Sequence, residues 1–245
     1  VRRTLFLSKV DESFETGGRT YNLASNMRAG RVCDAGYIHL QRVLVDFFPA
    51  FIYSFVDVVM EKTIFMVYGH NTTIILYRVK NGSSPGRLRL RPLVNGRDLH
   101  WTTGIGQVDF RSDGWEVPEG AGAVIRNGGD LPPLRLSCGG GAVFTPREEW
   151  FAGMYYPREE ERGGNPLEDH FCPGYFEVLL EPGEVKEFSF CASIEDLSPV
   201  YCQSGPDLLE KERERLNRLL DASGLPDDFS RRLALAADSF IVRRR

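Results

Sequence analysis

A chain of 245 residues, 42% of them hydrophobic and 26% charged, is long enough to bury a sizeable core without disulfides or metals. Its net charge of −4 gives no electrostatic reason to expect a nucleic acid or an anionic membrane as partner. No apolar run reaches the roughly 18–20 residues that span a bilayer, and the N-terminus lacks the apolar segment of a signal peptide.

The first part of the chain carries the pattern of β-strands. Three stretches rich in β-branched and aromatic residues lack a helical period: Phe51–Met60, Thr63–Tyr68 and Thr72–Val79. Arginine and leucine alternate from Arg87 to Arg91, which places the two residue types on opposite faces of a strand. Turn signals separate such runs at Gly17-Gly18, Asn81-Gly82, Asp113-Gly114, Asn127-Gly128-Gly129 and Pro182-Gly183. This pattern predicts a mainly β domain, an antiparallel sandwich or barrel, over residues 1–204.

The pattern changes to helix near residue 205. A first helix places leucines near one face, with Glu214 and Arg218 spaced for an i,i+4 pair; the leucines are Leu209, Leu216, Leu219 and Leu220. After Gly224-Leu225-Pro226, a second helix carries an apolar stripe made of Phe229, Leu233, Ala236, Ala237 and Phe240. We expect residues 205–245 to be linker helices that open a further domain.

Most of the reactive side chains lack the spacing of a catalytic or metal site. The carboxylates of Glu148-Glu149, Glu159-Glu160-Glu161 and Glu168-Asp169 are sequence neighbours, whereas a glycosidase needs two carboxylates that face each other across a bond. The four histidines show no metal-binding spacing, so neither a metal nor another cofactor is predicted. Five widely spaced cysteines predict reduced, mostly buried thiols and favour the cytoplasm.

Two loop segments combine charged and aromatic residues that suit sugars. The first is Arg97–Trp101, which includes Asp98 and His100; the second is Trp150–Gly174, which includes Arg158, Glu159 and Arg162. Sugar hydroxyls pair with charged side chains and sugar C–H faces stack on aromatic rings. We therefore expect these five charged residues and His100 to bind substrate at one end of the sandwich, where loops cluster. A structural salt-bridge network with core aromatics is the alternative.

At these and other residues the chain resembles the N-terminal domain of bacterial and archaeal glycogen debranching enzymes of the amylo-α-1,6-glucosidase type. The resemblance is carried, in this order, by Leu7-Ser8-Lys9 with Asp11-Glu12, Pro49–Tyr53, Glu61–Met66, Asn71-Thr72-Thr73, Leu90–Leu93 with Arg97, Asp98 and His100, Tyr156–Glu159 with Glu161-Arg162-Gly163, Glu168-Asp169, Cys172-Pro173-Gly174, and Leu235–Phe240 with Val242-Arg243-Arg244.

The resemblance implies a two-sheet β-supersandwich that packs against a C-terminal α/α-barrel domain of the same chain. It also implies that the catalytic acid and base lie on the barrel, beyond Arg245, so that the catalytic residues are absent here. The partner would be an α-glucan, bound through the full enzyme. Two alternatives remain: a stand-alone carbohydrate-binding β-sandwich, and the N-terminal domain of a glucoamylase- or phosphorylase-like enzyme.

Overall fold

A computed structural model describes residues 3–196 and 204–241. Cys202 and Val242-Arg243-Arg244 lie outside the described residues. Strands make up 54% of the structure and helices 17%, which confirms the mainly β class. The strands are β1 (Thr4–Thr16), β2 (Arg19–Asn22), β3 (Ser25–Arg28), β4 (Arg31–Ala35), β5 (Leu40–Val45), β6 (Pro49–Phe55), β7 (Val58–Met66), β8 (Thr72–Lys80), β9 (Gly86–Asp98), β10 (Arg111–Val117), β11 (Gly120–Arg126), β12 (Leu134–Cys138), β13 (Val143–Tyr155), β14 (Leu167–Leu180) and β15 (Val185–Ser193). The helices are α1 (Pro157–Glu161), α2 (Gly205–Ser223) and α3 (Asp228–Asp238), with a 3₁₀ turn over Gly36–His39.

The strands form two antiparallel sheets. The seven-stranded sheet has the order β2-β1-β9-β14-β13-β3-β4, and the eight-stranded sheet has the order β10-β11-β12-β15-β8-β7-β6-β5. Both orders include neighbours that are distant in sequence, such as β1 beside β9 and β12 beside β15. The predicted two-sheet architecture is therefore confirmed.

A single large apolar core contains residues of both sheets. The alternation in β9 buries Leu88 and Leu90 completely, while Phe14 and Phe176 join them from the neighbouring strands β1 and β14. The eight-stranded sheet contributes its own inward side chains, among them Met60, Tyr77, Val79, Leu136, Phe188 and Phe190. Aromatic pairs lie within this core; the Phe176 and Phe190 rings, one from each sheet, meet edge to face at 5.5 Å.

Most of the turns predicted for the β domain are present, but two predictions about its strands and turns are wrong. Asp113-Gly114 lies inside β10, paired with β11, and the chain reverses at Glu119, whose φ is +55°. The predicted run Phe51–Met60 is interrupted at Val56, whose φ is +51°, so that it belongs to two strands of a hairpin. The carboxylate of Asp57 holds this second turn by accepting hydrogen bonds from the backbone N–H (2.7 Å) and the hydroxyl (2.8 Å) of Ser83.

A buried charge cluster joins the sheets inside this core. Glu12 of β1 accepts hydrogen bonds from Lys62 Nζ of β7 at 2.8 Å and from the Tyr77 hydroxyl of β8 at 2.7 Å. The side chains of Glu12 and Lys62 are only 2% and 12% exposed. Burial alone would lower the pKa of Lys62, but the charge and hydrogen bond of Glu12 outweigh it and raise that pKa. The cluster therefore places a charged cross-link between the two sheets within a mainly apolar core.

Helix α2 packs against the eight-stranded sheet, and α3 packs against α2. Leu209 of α2 enters a small cluster with Phe65 and Ile74, and Gly205 approaches so closely that a Cβ there would lie 1.8 Å from Ser189 Oγ. Arg215 of α2 then binds α3 through the Asp238 carboxylate at 2.9 Å. The predicted Glu214–Arg218 pair forms at 3.7 Å.

The predicted apolar stripe of α3 faces away from the described part of the chain. Phe229, Leu233 and Phe240 are 71%, 54% and 83% exposed. No helix within the described ranges is both long and apolar enough to cross a membrane.

We predict that Lys62→Met destabilises the fold by about 3–5 kcal/mol, because it leaves the Glu12 carboxylate buried without its cation. Urea unfolding followed by tryptophan fluorescence measures this change. The double variant Glu12→Leu/Lys62→Met removes both charges and is expected to recover most of the loss, while Lys80→Met, an exposed lysine on the adjacent strand, serves as control. Equal losses for the single and double variants would show that the ion pair does not matter.

Candidate functional site

The two loop segments singled out by sequence meet at one end of the seven-stranded sheet. Strands β9 and β14 are antiparallel, with Val94 opposite Phe171, so the end of β9 lies beside the beginning of β14. The loop that follows β9 is joined to the second segment by hydrogen bonds from Asn165 Nδ2 to Thr102 Oγ1 (3.2 Å) and from Asp169 N to Thr103 O (2.8 Å). We call this region the strand-end site.

Arg97 is held at the base of the strand-end site by Glu168. The pair is bidentate: Arg97 Nε binds one carboxylate oxygen and Nη2 donates to the other at 2.8 Å. Arg97 Nη1 donates to the backbone oxygens of Asp98 and Leu99, both at 3.0 Å. The Arg97 and Glu168 side chains are 13% and 4% exposed. Every nitrogen of the guanidinium is thus engaged by protein, which favours a positioning role for Arg97 over direct contact with a ligand.

Asp98 shapes the loop that carries His100 and Trp101. Its Oδ1 accepts a hydrogen bond from the backbone N–H of His100 at 3.1 Å, and its carbonyl accepts from that of Trp101 at 3.1 Å. These bonds close a tight turn. Its tip exposes Leu99, His100 and Trp101, and Trp101 is 67% exposed. An exposed indole beside an imidazole is a surface on which a sugar ring can stack.

The three predicted residues of the second segment lie on or beside the short exposed helix α1. Arg158 pairs with Glu161 at 2.5 Å and Arg162 with Glu159 at 3.6 Å. All four side chains are more than half exposed, so these ion pairs contribute little to stability. The structure thus places the two segments side by side, while the two arginines of the second segment, Arg158 and Arg162, form ion pairs within that segment.

Beneath these loops lies a buried polar network centred on Asn95. Its amide nitrogen donates to Thr103 Oγ1 at 3.0 Å and to Glu168 Oε1 at 3.1 Å. Its carbonyl oxygen accepts from the Ser8 hydroxyl and lies 2.7 Å from His170 Nδ1. Asn95, Glu168 and His170 are 1%, 4% and 0% exposed, so these three side chains bond to one another out of contact with water.

The network fixes the tautomer of His170. The Asn95 amide nitrogen donates to the Glu168 carboxylate, so the Asn95 oxygen faces His170. This oxygen can only accept a hydrogen bond, and His170 therefore carries its hydrogen on Nδ1. His170 Nε2 is then the acceptor for the Tyr156 hydroxyl at 2.7 Å. Burial lowers the pKa of His170, and burial together with the charge of Glu168 raises the pKa of Tyr156 to about 12. Both groups are therefore neutral and bound to each other at neutral pH.

Glu168 and the segment that contains His170 stand out in the sequence, but their partner Asn95 was not predicted. The available signal was a lone amide between Val94 and Gly96 in an otherwise apolar stretch, which is typical of a satisfied buried polar residue. The pairing of Arg97 with Glu168 joins positions that are 71 residues apart, and no local pattern shows it.

The arrangement offers positioning and binding rather than nucleophilic or metal chemistry. Burial raises the pKa of the Cys172 thiol to about 12, and its sulfur donates to the carbonyl of Gly174 at 3.1 Å. Within residues 3–196 and 204–241, no group of three or more His, Cys, Asp or Glu side chains could hold a metal ion. The substrate-binding role of the six predicted residues remains a prediction.

The chain matches one family model and is similar to solved structures. A family model described as "Glycogen debranching enzyme N terminal" matches residues 1–187. No curated protein matches the chain. A crystal structure of a bacterial glucoamylase complexed with acarbose is similar over 91% of this chain and 34% of that chain, with 8% sequence identity and a TM-score of 0.43. This chain thus spans about a third of the length of that protein.

We predict that the fold loses stability as the pH falls below about 6.5, in part because of His170. The pKa of His170 is lower in the folded chain than the value of about 6.5 in the unfolded chain, so the unfolded chain binds the proton more readily. This loss of unfolding free energy is absent above about pH 6.5, and it grows as the pH falls towards the pKa of His170 in the folded chain. Melting temperatures between about pH 7.5 and 5.5 measure it.

The matched variants are His170→Asn and His100→Asn. We expect His170→Asn to melt lower than the parent at pH 7.5 but to show a flatter pH dependence, because the titrating group is gone. His100 lies in the exposed loop, so His100→Asn should keep the parental slope. Parallel slopes for the parent and His170→Asn would contradict the assignment.

Proposed function

Because this chain belongs to the glycogen debranching enzyme N-terminal family, we propose that it is the N-terminal accessory domain of a glycoside hydrolase that cleaves α-1,6-glucosidic branch points in glycogen or related α-glucans. The observation that carries the proposal is the family match over residues 1–187, which includes the whole strand-end site. In this role the domain lends the loops of the strand-end site to the rim of a substrate cleft.

The state of the carboxylates at the strand-end site supports an accessory role. Glu168 is buried against Arg97, and the two oxygens of Asp169 accept from the backbone N–H groups of Gly153 (2.7 Å) and Ile105 (2.9 Å). A glycosidase needs one carboxyl that is free to donate a proton and a second one opposite it. We therefore place the catalytic acid and base outside this chain, and no cofactor enters the proposal.

The exposed stripe of α3 supports packing against a further domain. Phe229 and Leu233 on α3, together with Phe240 two residues after its end, expose apolar side chains, and Arg215 of α2 holds Asp238 at the end of α3. Contiguous exposed apolar surface on a soluble domain marks a contact region. We propose residues 1–204 as the sandwich domain, residues 205–245 as linker and first helix of an α/α-barrel domain, and that barrel as the partner.

The state of the cysteines supports a reducing compartment such as the cytoplasm. Among the residues that the structure describes, no two cysteines form a disulfide, and three of the four are buried: Cys138, Cys172 and Cys191.

We predict that the isolated chain releases no glucose from a glycogen limit dextrin, whereas the full-length protein does. The reason is that the carboxylates at the strand-end site are all bound to protein groups. A coupled glucose assay with purified, contaminant-free protein measures both. Hydrolysis by the chain alone would contradict the accessory role, and a full-length protein inactive on branched substrate but active on linear α-glucans would favour a glucoamylase-type parent.

We further predict that Asp98→Ala in the full-length protein raises KM for branched substrate about two- to tenfold, matching the loss of one loop hydrogen bond worth about 0.5–1.5 kcal/mol. The substitution frees the turn that presents His100 and Trp101, with little effect on global stability. Asp113→Ala is the control, since Asp113 lies on the edge strand β10 of the other sheet in an exposed pair with Arg126. Unchanged kinetics with an unchanged melting temperature would show that the loop does not contact substrate.

A further inference from the structure

A second polar recess lies on the seven-stranded sheet, away from the strand-end site. It is a cavity of about 240 Å³ covered by the β3–β4 hairpin, and β1, β9 and β13 contribute to its walls. Arg91 lines it and lies six positions before Arg97 on β9, roughly 20 Å away at about 3.3 Å per residue. The cavity is therefore too far from the strand-end site for one sugar ring to contact both Arg91 and Arg97.

Arg91 supplies unused hydrogen-bond donors to this cavity. Along the same face of β9, Arg87 and Arg89 both pair with Glu177 on the neighbouring strand, at 3.6 Å and 3.1 Å. Arg91 has no ion pair or hydrogen bond among the residues that the structure describes. Its cross-strand neighbour Asp11 is already engaged by Lys9 and Asn26. The half-buried Arg91 guanidinium therefore has its donors available to water or to a ligand in the cavity.

Fixed acceptors face these donors. Asp34 lines the cavity, and its two oxygens accept from the amides of Asn22 and Asn26, each at 2.8 Å. The Cys33 thiol also donates to Oδ2 of Asp34, at 3.7 Å. Because a carboxylate has about four acceptor sites, Asp34 keeps about one for a ligand, on Oδ1, in an orientation set by the two amides. Asn26 also bonds Asp11 at 2.8 Å, which ties the hairpin to the sheet below.

The mixed charges of the cavity walls favour a neutral polyol as ligand. Three carboxylates line the cavity and would repel a phosphate: Asp11, Glu12 and Asp34. The two arginines of the wall, Arg28 and Arg91, would repel a cation. Phe151 adds an apolar ring to the wall, and Arg28 lies 5.7 Å from its centre. The volume is below the range of about 300–1,000 Å³ typical of drug-sized ligands, so the cavity suits one small hydroxyl-rich unit.

We infer that this cavity binds a single glucosyl unit of an α-glucan and holds the polymer at a second point on the domain. The inference rests on the proposed function for the identity of the sugar. Arg91 donates to sugar hydroxyls, Asp34 accepts from them, and Phe151 contacts a C–H face.

Cys33 provides a direct readout, because it lines the cavity and is the exposed one of the four described cysteines. In a Cys202→Ser background, the rate at which a thiol reagent labels Cys33 is measured with increasing maltose. We expect saturable protection of at least about threefold, with millimolar affinity, and an equal affinity by calorimetry. Sorbitol at the same concentrations is the control for non-specific polyol effects.

The matched variants are Arg91→Ala and Arg89→Ala. Both remove an arginine from the same face of β9, but Arg89 pairs with Glu177 and does not line the cavity. Arg91→Ala should weaken maltose binding at least about tenfold, whereas Arg89→Ala should leave it unchanged. Asp34→Asn keeps the shape of the wall and is expected to weaken binding as well, which covers the case in which Arg91→Ala fails to fold.

Three results would overturn the inference: no protection and no heat with maltose, protection equal to that by sorbitol, or protection by inorganic phosphate in place of maltose. The test is independent of the proposed debranching activity. Maltose binding by the chain with no branch-point cleavage by the full-length protein would reject the activity and keep the site, and the reverse pair of results would reject the site alone.

Discussion

The hydrogen bonding of β9 between β1 and β14 is the constraint on which both candidate sites depend. A strand paired on both sides must send alternate side chains to opposite faces, so one strand carries the leucines of the core and the arginines of the outer surface. Leu88 and Leu90 anchor it in the core, and this fixes where Arg91 and Arg97 lie. A register slip of one residue would exchange these faces and remove the cavity and the Arg97–Glu168 pair together.

Two buried polar clusters stabilise this strand arrangement in different ways. The Glu12–Lys62–Tyr77 cluster crosses the core between the sheets, whereas the Asn95 network lies under the loops of one sheet. Replacing an isolated buried ion pair by apolar residues is often neutral in stability, so the value of such a pair lies in selecting one arrangement. The Asn95 amide bonds Ser8, Thr103, Glu168 and His170 at once. It similarly allows only one position for the three segments that carry these residues.

Sequence alone predicted the elements that local physics determines. The Arg–Leu alternation of β9 and the glycine-containing turns at Asn81-Gly82 and Pro182-Gly183 are present as predicted. The turn at Val56 could not be predicted, because a β-branched residue with positive φ is held there by Asp57 and the distant Ser83. Gly114 was taken for a turn residue, yet it lies inside β10.

The same limit applies to the candidate site. Composition identified the two loop segments, since their density of charged and aromatic residues is visible in the sequence. It did not separate Arg97, which is buried in a bidentate pair, from Arg158 and Arg162, which lie on the surface. That distinction depends on Glu168, and the two residues meet only because β9 and β14 are neighbours in the sheet.

These different environments give the strand-end site a rigid base and an adaptable rim. Removing one partner of the buried Arg97–Glu168 pair leaves an uncompensated charge and costs about 3–5 kcal/mol, so this base does not rearrange when a ligand binds. The exposed pairs of α1 are worth about 0–1 kcal/mol each, so Arg158 and Arg162 can exchange their carboxylates for ligand groups at little cost. In the proposed function, a branched polymer would present its chains in many orientations, and a rim that adjusts on a base that does not move would accept them without losing the position of the loop.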